Sequence, residues 1–593
     1  MAARPATEFS DWNGLTEAER EQRRRRFTAF DPLSIPAYRA LTTGEGTVGG
    51  KAKGLLFASE ALRGDERPES CKVHVPESRF LATGLFREFM ASHGLDHAEL
   101  SEQDGPGVER AFLSGSLCAG LRKDLERLVM EMDYPLAVRS SSALEDSLRY
   151  SFAGKYLTVF IPNRGTPATR TVALEQAIKL VYASTYGPNA VAYRKKHGLP
   201  HEEMGVIIQR LQGRERGGYF YPELAGVGFS RNFRRWTERI RVEDGVARIV
   251  FGLGTRCTGR GYARTFSLTD PNLRPEGNVT REIVKYSQEV MDALDLDTGH
   301  PVSLNINDCP HLAGYHPSFP AYAQWYSAEE DAMVDTRFAP AVFGPGDKFV
   351  FTFNHLRRYY PEIFRLTDYL FRLLEHAMGL SADIEFTFES ADHTYSLIQA
   401  RPLTSWEEYR KVKAPDDLDP KAIILRGDRM LTNGELRDVK YLVYVDPWQY
   451  RQAEDKYEVA REVGRVNRQL AGEHYILVGP GRWGSSSPHY GVPVNYSEIS
   501  NCGMLVEVGI RAESFVPELS YGTHFFADLD VGGTLYMPVF DTEPTNIFRR
   551  EWFDEAPARA TGHRALKVFS GRFNAYLDGR EMDGLVVSHS HDG

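Results

Sequence analysis

Two neighbouring segments decide the reading of the fold: Asp383-Ile384-Glu385-Phe386-Thr387-Phe388-Glu389 and Tyr395-Ser396-Leu397-Ile398-Gln399-Ala400-Arg401. In the first, Ile384, Phe386 and Phe388 alternate with Glu385, Thr387 and Glu389, the two-residue period of a half-buried strand. In the second, Tyr395, Leu397, Gln399 and Arg401 fall on one face by the same rule. With 390–394 as the loop of a hairpin, Glu389 is expected opposite Tyr395, Thr387 opposite Leu397 and Glu385 opposite Gln399. Opposed residues share a face. The hairpin therefore gathers a carboxylate, an amide and the neighbouring guanidinium of Arg401 on one side of a sheet. One carboxylate and one amide oxygen suit magnesium, which takes few protein oxygens. A solvated strand face fits the same spacing.

Outward from the hairpin the chain reads as mixed α/β. Just before it, Ile363, Leu366, Leu370, Leu373, Leu374 and Ala377 recur at helical spacing and Gly379 supplies the stop. Leu174, Ala177, Ile178, Val181 and Tyr182 make a second helix face, followed by strand-like runs at 205–211, 224–229 and 247–251 between glycine-rich turns. Further upstream, Pro135-Leu136-Ala137-Val138-Arg139-Ser140-Ser141-Ser142 is an apolar strand ending in an arginine and three hydroxyls. An arginine there can hold phosphate by two hydrogen bonds, and the small residues Ser151-Phe152-Ala153-Gly154 can close over it. A salt bridge from Arg139 to Glu145 or Asp146 fits the spacing as well. Gly49-Gly50-Lys51-Ala52-Lys53-Gly54 opens a helix-compatible run at 55–62 and can offer backbone N–H groups and an ammonium to phosphate, although it is not the GxxxxGK[ST] pattern.

Downstream, 402–419 is polar and contains proline, as linkers do. A last unit follows, with a helix face at Val459, Val463, Val466 and Leu470, a breaker-rich stretch at 479–488 expected to be irregular, and a strand at 504–508.

The chain has 593 residues, enough for about three to five domains at roughly 100 to 200 residues each. Hydrophobic residues at 42% and charged residues at 26% allow several ordinary cores and exclude a disordered or fibrous chain. Asp plus Glu number 81 against 71 for Lys plus Arg, a net charge of −10, which argues against DNA or RNA as a partner. No stretch approaches the ~20 apolar residues of a membrane span, and the first residues are polar, so a cytoplasmic location without a membrane partner is expected. Cys71, Cys118, Cys257, Cys309 and Cys502 lie far apart with no CxxC pair and read as reduced, mostly buried thiols. Arg23, Arg24, Arg25 and Arg26 share a helix-like segment with Glu17, Glu19 and Glu21 and read as a solvated helix face.

Taken in order, several motifs resemble one nucleotide-binding domain. They are Gly49-Gly50-Lys51, Ala137-Val138-Arg139-Ser140-Ser141 with Glu145-Asp146, Ser151-Phe152-Ala153-Gly154, Ile207-Ile208-Gln209, Gly226-Val227-Gly228-Phe229-Ser230, Gly252-Leu253-Gly254, Asp383-Ile384-Glu385 and Ile398-Gln399-Ala400-Arg401-Pro402. The resemblance is to the N-terminal ATP-grasp domain of the pyruvate phosphate dikinase and phosphoenolpyruvate synthase family, over about residues 40–405. It implies a two-lobed ATP-grasp fold, so the division expected for this α/β (α+β) chain is an extension at 1–35, ATP-grasp lobes at 36–240 and 241–405, and, from the composition beyond them, a linker at 406–425 and a smaller α/β C-terminal domain at 426–593. It implies ATP and Mg2+ as cofactors. Lys51 and Arg139 would lie on the phosphates, the loop of Ser151, Ala153 and Gly154 would close over them, and Gln209 would lie beside the adenine. Glu385 and Gln399 would hold magnesium, and Arg401 would face the terminal phosphates. Family members split ATP to AMP and pass the β-phosphate to a histidine on a swivelling domain, then to pyruvate.

The chain departs from the family in three places, one of them an added loop from Gly44 to Val48. Gly252-Leu253-Gly254-Thr255 stands where related synthases typically read GLGE, and about 190 residues follow Arg401, too few for both a phosphohistidine domain and a β/α barrel of at least ~200 residues. Pyruvate chemistry is therefore not expected here. The phosphocarrier signature is absent as such. Its nearest counterpart is Tyr521-Gly522-Thr523-His524-Phe525-Phe526, with His524 as candidate phosphoacceptor and a structural histidine as the alternative. His489 is a second candidate, and His589 and His591 read as a polar tail. In the 479–488 stretch Arg482 could bind an anion, or Trp483 could anchor a stiff loop. The leading expectation is a magnesium- and ATP-dependent phosphotransferase with Arg139, Arg401 and His524 as catalytic candidates, its acceptor a small molecule or a protein. An ATP-grasp ligase working through an acyl phosphate and a non-catalytic ATP sensor are the alternatives, and a homo-oligomer is compatible with each.

Overall fold

The computed structural model describes residues 15–145, 156–232, 239–241, 243–257, 263–274, 279–340, 342–403, 412–415, 417–429, 431–485, 488, 490–510, 525, 529, 533–579 and 581–589. Thr16 starts helix α1 (Glu17–Ala29) with a reciprocal capping box to Glu19. Gly49, at φ 78°, turns the chain into α2 (Gly50–Arg63). The first lobe has the strands β1 (Thr42–Thr43), β2 (Val73–His74), β3 (Ser78–Leu81), β4 (Leu136–Ser142), β5 (Thr158–Ile161) and β6 (Met204–Arg210), with helices α3 (Pro167–Ala183) and α4 (Pro188–His197). Its sheet has the order β1-β3-β6-β4-β5. The helix face expected from Leu174, Ala177, Ile178, Val181 and Tyr182 lies buried in the lobe's core on α3.

The second lobe has β7 (Leu224–Phe229), β8 (Val246–Phe251), β9 (Arg264–Ser267), helix α5 (Pro361–Met378) and the hairpin β10 (Ala382–Glu389) and β11 (Thr394–Pro402). Its main sheet runs β9-β8-β7-β10-β11-β2, so β2 is lent by the first lobe. The strand at 224–229, which the sequence reading set in the first lobe, pairs with β8 and β10 in this second sheet. Smaller antiparallel sheets lie between residues 214 and 350. Gly379, at φ 69°, stops α5 in the left-handed conformation that glycine tolerates.

The hairpin register holds where it was expected at the open end and slips at the turn. Asp383 opposes Arg401 and Glu385 opposes Gln399, but a bulge follows, so Phe386 opposes Leu397, Thr387 opposes Ser396 and Glu389 opposes Thr394. The extra residue is Ile398, the one position between Gln399 and Leu397 left without a partner.

Helix α1 packs on α5, and part of the basic run serves this contact. The Arg23 guanidinium donates to the His376 carbonyl at 2.7 Å and Arg24 Nε to the Gly379 carbonyl at 3.1 Å. Two cations thus meet the carbonyl end of α5, where positive charge is favoured. Arg23 and Arg24 are therefore docking groups rather than members of a wholly solvated face. Two of the five cysteines, Cys257 and Cys502, are buried, whereas Cys71 and Cys118 are exposed.

The C-terminal unit is α/β. Its strands are β12 (Ile423–Gly427), β13 (Gly434–Val445), β14 (Tyr475–Pro480), β15 (Cys502–Gly509), β16 (Leu535–Phe540), β17 (Ile547–Phe548), β18 (Leu566–Asp578) and β19 (Asp583–His589), with helix α6 (Lys456–Gln469). They line up as β16-β15-β14-β13-β18-β19-β12-β17. β13 to β16 pair in parallel and the rest antiparallel. Gly479 and Pro480, expected in an irregular stretch, close strand β14. His589 ends β19 within hydrogen-bonding distance of Asn574, 2.7 Å away, rather than lying in a free tail. One buried apolar cluster runs without interruption from Tyr182, Ala190 and Tyr193 of the first lobe to Tyr450, Trp483 and Tyr496 of this unit. The Tyr193 and Tyr496 rings stand 6.0 Å apart.

Candidate nucleotide site

The expected site residues converge where the two lobes meet. Arg139 lies mid-way along β4, whose neighbours β6 and β5 leave its side chain directed across the cleft at the hairpin. Its Nη2 is 2.5 Å from Glu385 Oε2 and 2.7 Å from Gln399 Oε1, while Nη1 donates to Gln209 Oε1 at 3.2 Å and to the Ile398 carbonyl at 3.1 Å. The bulge explains the last contact: the Ile398 carbonyl turns to the guanidinium. Gln209, expected beside the adenine, is buried, and its amide nitrogen donates to Ser78 Oγ at 3.3 Å. The salt bridge considered between Arg139 and Glu145 does not form, since each has another partner.

Lys51 stands in the first turn of α2 and is 2.5 Å from Glu145 Oε1 and 3.0 Å from Ser140 Oγ. Glu145 is 1% exposed and also accepts from Ser140 Oγ and the Ser142 N–H. Helix α2 is held against β4 by Ser141, whose hydroxyl donates to the Val48 carbonyl at 2.7 Å and accepts from the Ala52 N–H at 3.0 Å. At Gly49 a Cβ would fall 1.7 Å from the Ser141 carbonyl oxygen, and at Gly54 2.2 Å from that of Ala400. These glycines let one helix pack against strands of both lobes.

Arg401 is claimed by its cross-strand partner: Nη2 lies 2.5 Å and Nε 2.7 Å from Asp383 Oδ2. Burial pushes the Asp383 carboxyl up, with Arg401 opposing. For Glu385, burial also acts upward, but Arg139, Lys51 and Arg401 outweigh it and hold the carboxyl below its usual range. The field of all three cations therefore reaches Glu385. Asp383, Glu145 as the partner of Lys51, and the Ile398 carbonyl were not picked out from the sequence as site groups. Asp383 was visible as the residue two before Glu385 on the same face; the others depend on contacts across the fold.

Thr255, where a carboxylate is typical, donates to Asp292 Oδ2 at 2.7 Å, and Asp292 is also bound by Arg256 and Ser303. A carboxylate from elsewhere in the lobe thus stands beside the position. Ser151, Ala153, Gly154, His489, His524 and His591 lie outside the described residues. Among the described residues no three His, Cys, Asp or Glu side chains cluster as a metal cage. Glu385 and Gln399 place two oxygens on one nitrogen of Arg139, a carboxylate and amide pair that would suit a magnesium ion. No helix among the described residues is long and apolar enough to cross a membrane.

An α/β body of two sheet-bearing lobes, joined by a basic and carboxylate-lined cleft, is the ATP-grasp type of nucleotide-binding fold. The profile of the family described as "Pyruvate phosphate dikinase, AMP/ATP-binding domain" matches residues 45–422, and the chain belongs to that family. It is similar to a phosphoenolpyruvate synthase of Deinococcus radiodurans, 29% identical over 27% of this chain and 21% of the relative. It is 31% identical to the "Uncharacterized phosphotransferase YvkC" of Bacillus subtilis, over 27% of this chain and 17% of that protein. A phosphoenolpyruvate synthase of Pseudomonas aeruginosa is 27% identical over 31% of this chain and 23% of its own length. The matches thus span about a fifth of the length of these curated relatives.

Proposed function

We propose that the chain is a magnesium- and ATP-dependent phosphotransferase whose two lobes activate ATP and whose C-terminal unit presents the acceptor. One observation carries this reading: Arg139 joins Glu385, Gln399 and Gln209 across the cleft, with Lys51 and Arg401 close enough to depress the Glu385 carboxyl. In the proposed complex Lys51 and Arg139 bind phosphate oxygens, Glu385 and Gln399 hold magnesium, and Arg401 faces the terminal phosphates. Gln209 orients Arg139 and borders the adenine, and the segment with Ser151, Ala153 and Gly154 covers the phosphates. Magnesium would neutralise charge as the phosphoryl group leaves; the protein's part is positioning and fixed positive charge.

The apolar core shared by the C-terminal unit and the first lobe supports an acceptor held beside the ATP-grasp body. That acceptor is either a small molecule or His524. Five cysteines spread along the chain without a CxxC pair support a cytoplasmic location. The test is incubation with magnesium and ATP labelled in the β or γ position, followed by nucleotide analysis and a search for acid-labile label on the protein. Formation of AMP or ADP is expected with a suitable acceptor, and label lost in His524→Ala would identify a relay. Magnesium-dependent ATP binding with no turnover against any candidate acceptor would replace this reading by that of a sensor.

A further inference from the structure

Glu202 lies outside every motif quoted above, yet it is 3% exposed and both its carboxylate oxygens are engaged. Oε1 accepts the Leu144 backbone N–H at 2.8 Å, and Oε2 accepts the Tyr156 hydroxyl. Leu144 immediately precedes Glu145, the carboxylate that holds Lys51, Ser140 and the Ser142 N–H. A single buried side chain therefore ties together residues 144 and 156, on either side of Glu145 and the small-residue motif.

The tie is braced from outside. Arg194 on α4, 5% exposed, reaches the Tyr156 hydroxyl at 3.5 Å, and the Leu157 N–H is bound by Ser184 Oγ at 3.2 Å. Next to Arg194, Tyr193 packs against Tyr496 of the C-terminal unit, so the brace cannot shift without disturbing a buried apolar contact. A buried carboxylate is costly unless its hydrogen bonds are made, and here they are made by the two groups whose separation it fixes. Nothing about folding alone requires that the fixed point be the residue beside the partner of Lys51.

We propose that Glu202 is a positioning residue of the nucleotide site: through the Leu144 N–H and the Tyr156 hydroxyl it sets the place of Glu145 and thereby of the Lys51 ammonium. This rests on the reading of Lys51 as a phosphate ligand. Glu202→Ala releases both bonds, whereas Glu202→Gln keeps an acceptor for the Leu144 N–H and an amide that can donate to the Tyr156 oxygen. Tyr156→Phe removes one oxygen and leaves the apolar packing.

The experiment is calorimetric titration of the full chain with Mg2+ and AMPPNP, with the melting temperature recorded for each variant. Glu202→Ala should weaken binding at least tenfold, Tyr156→Phe about threefold or more, and Glu202→Gln should bind within threefold of wild type at any melting temperature. Wild-type affinity in a folded Glu202→Ala, despite a lowered melting temperature, overturns the inference and leaves the nucleotide reading intact. If Glu202→Ala does not fold, Tyr156→Phe decides, and unchanged affinity there overturns it as well. Failure of wild type itself to bind the nucleotide removes the reading and the inference together.

Discussion

Arg139 Nη2 sits 2.5 Å from Glu385 Oε2, a contact between strands of different lobes. The same guanidinium spends its remaining reach on Gln399, Gln209 and the Ile398 carbonyl. Four acceptors in a fork cannot be matched by a single ammonium. Arg139→Lys is therefore expected to lower magnesium-dependent ATP turnover at least tenfold, about 1.4 kcal/mol of transition-state stabilisation, when AMP or ADP release is followed. Turnover equal to wild type would take Arg139 out of the site.

Helix α2 lies so close to β11 that a Cβ on Gly54 would stand 2.2 Å from the Ala400 carbonyl oxygen, a backbone atom that cannot step aside. Gly54→Ala should force helix and strand apart and destabilise the protein by about 1–3 kcal/mol, the usual range for overpacking. Gly64, just after the same helix, would place its Cβ no nearer than 3.4 Å to its neighbours, so Gly64→Ala serves as the near-neutral control. Thermal melts of the two variants decide the matter. Equal melting temperatures would show that the helix can move.

Lys51 and Glu145 are both buried and 2.5 Å apart. Removing one partner of such a pair leaves an uncompensated charge and typically costs about 3–5 kcal/mol, while removing both costs much less. Glu145→Ala should thus lower the denaturant midpoint more than the double variant Lys51→Met/Glu145→Leu does. A double variant as unstable as the sum of the single ones would mean that the pair is not coupled.

Part of this site was legible because its logic is local. Alternation along 383–389 and 395–401 is a property of adjacent residues, and with 390–394 taken as the loop it set Glu385 opposite Gln399; that pairing holds because a turn one residue shorter is offset by the bulge. The bulge at Ile398 was not legible from alternation: the extra residue flips its phase, so Tyr395 and Leu397 lie with Phe386 and Phe388 in the core and not on the face of Gln399 and Arg401. The result was a register one residue out from Phe386 onward. In the same way Gly379 announced the end of α5, but nothing near Arg23 and Arg24 said that they would meet that end. Glu202 was illegible for a stronger reason. Its role is to join the two sides of a segment, and neither side carries a signal that a carboxylate from the approach to β6 will be shared between them.

At the turn end of the same hairpin, Glu389 is paired with Arg216 in a buried network with Glu223, His316 and Tyr322, and Arg214 lies 3.7 Å away. Burial, aided by the charge of Glu223 and opposed by Arg216, pushes the Glu389 carboxyl up to about 7 from its ordinary 4.5. Between those two values the folded protein keeps a proton that the unfolded chain has lost, so folding stability falls as pH rises. The contribution is complete below about 4.5 and gone above about 7, a change on the order of 3 kcal/mol by the conversion of pKa shift to free energy. Glu223 does not blur this window: hydrogen bonds from His316, Ser390 and Tyr322 overcome its burial and hold it at about 2, so its own stabilisation fades only as pH falls below 4.5. Glu389→Gln is uncharged throughout and should flatten the pH dependence of the melting temperature between pH 5 and 8. The gap between variant and wild type should open in the variant's favour toward pH 8. Parallel curves for the two proteins across that range would show that Glu389 does not titrate there, and the buried network would have to hold its charge at every pH tested.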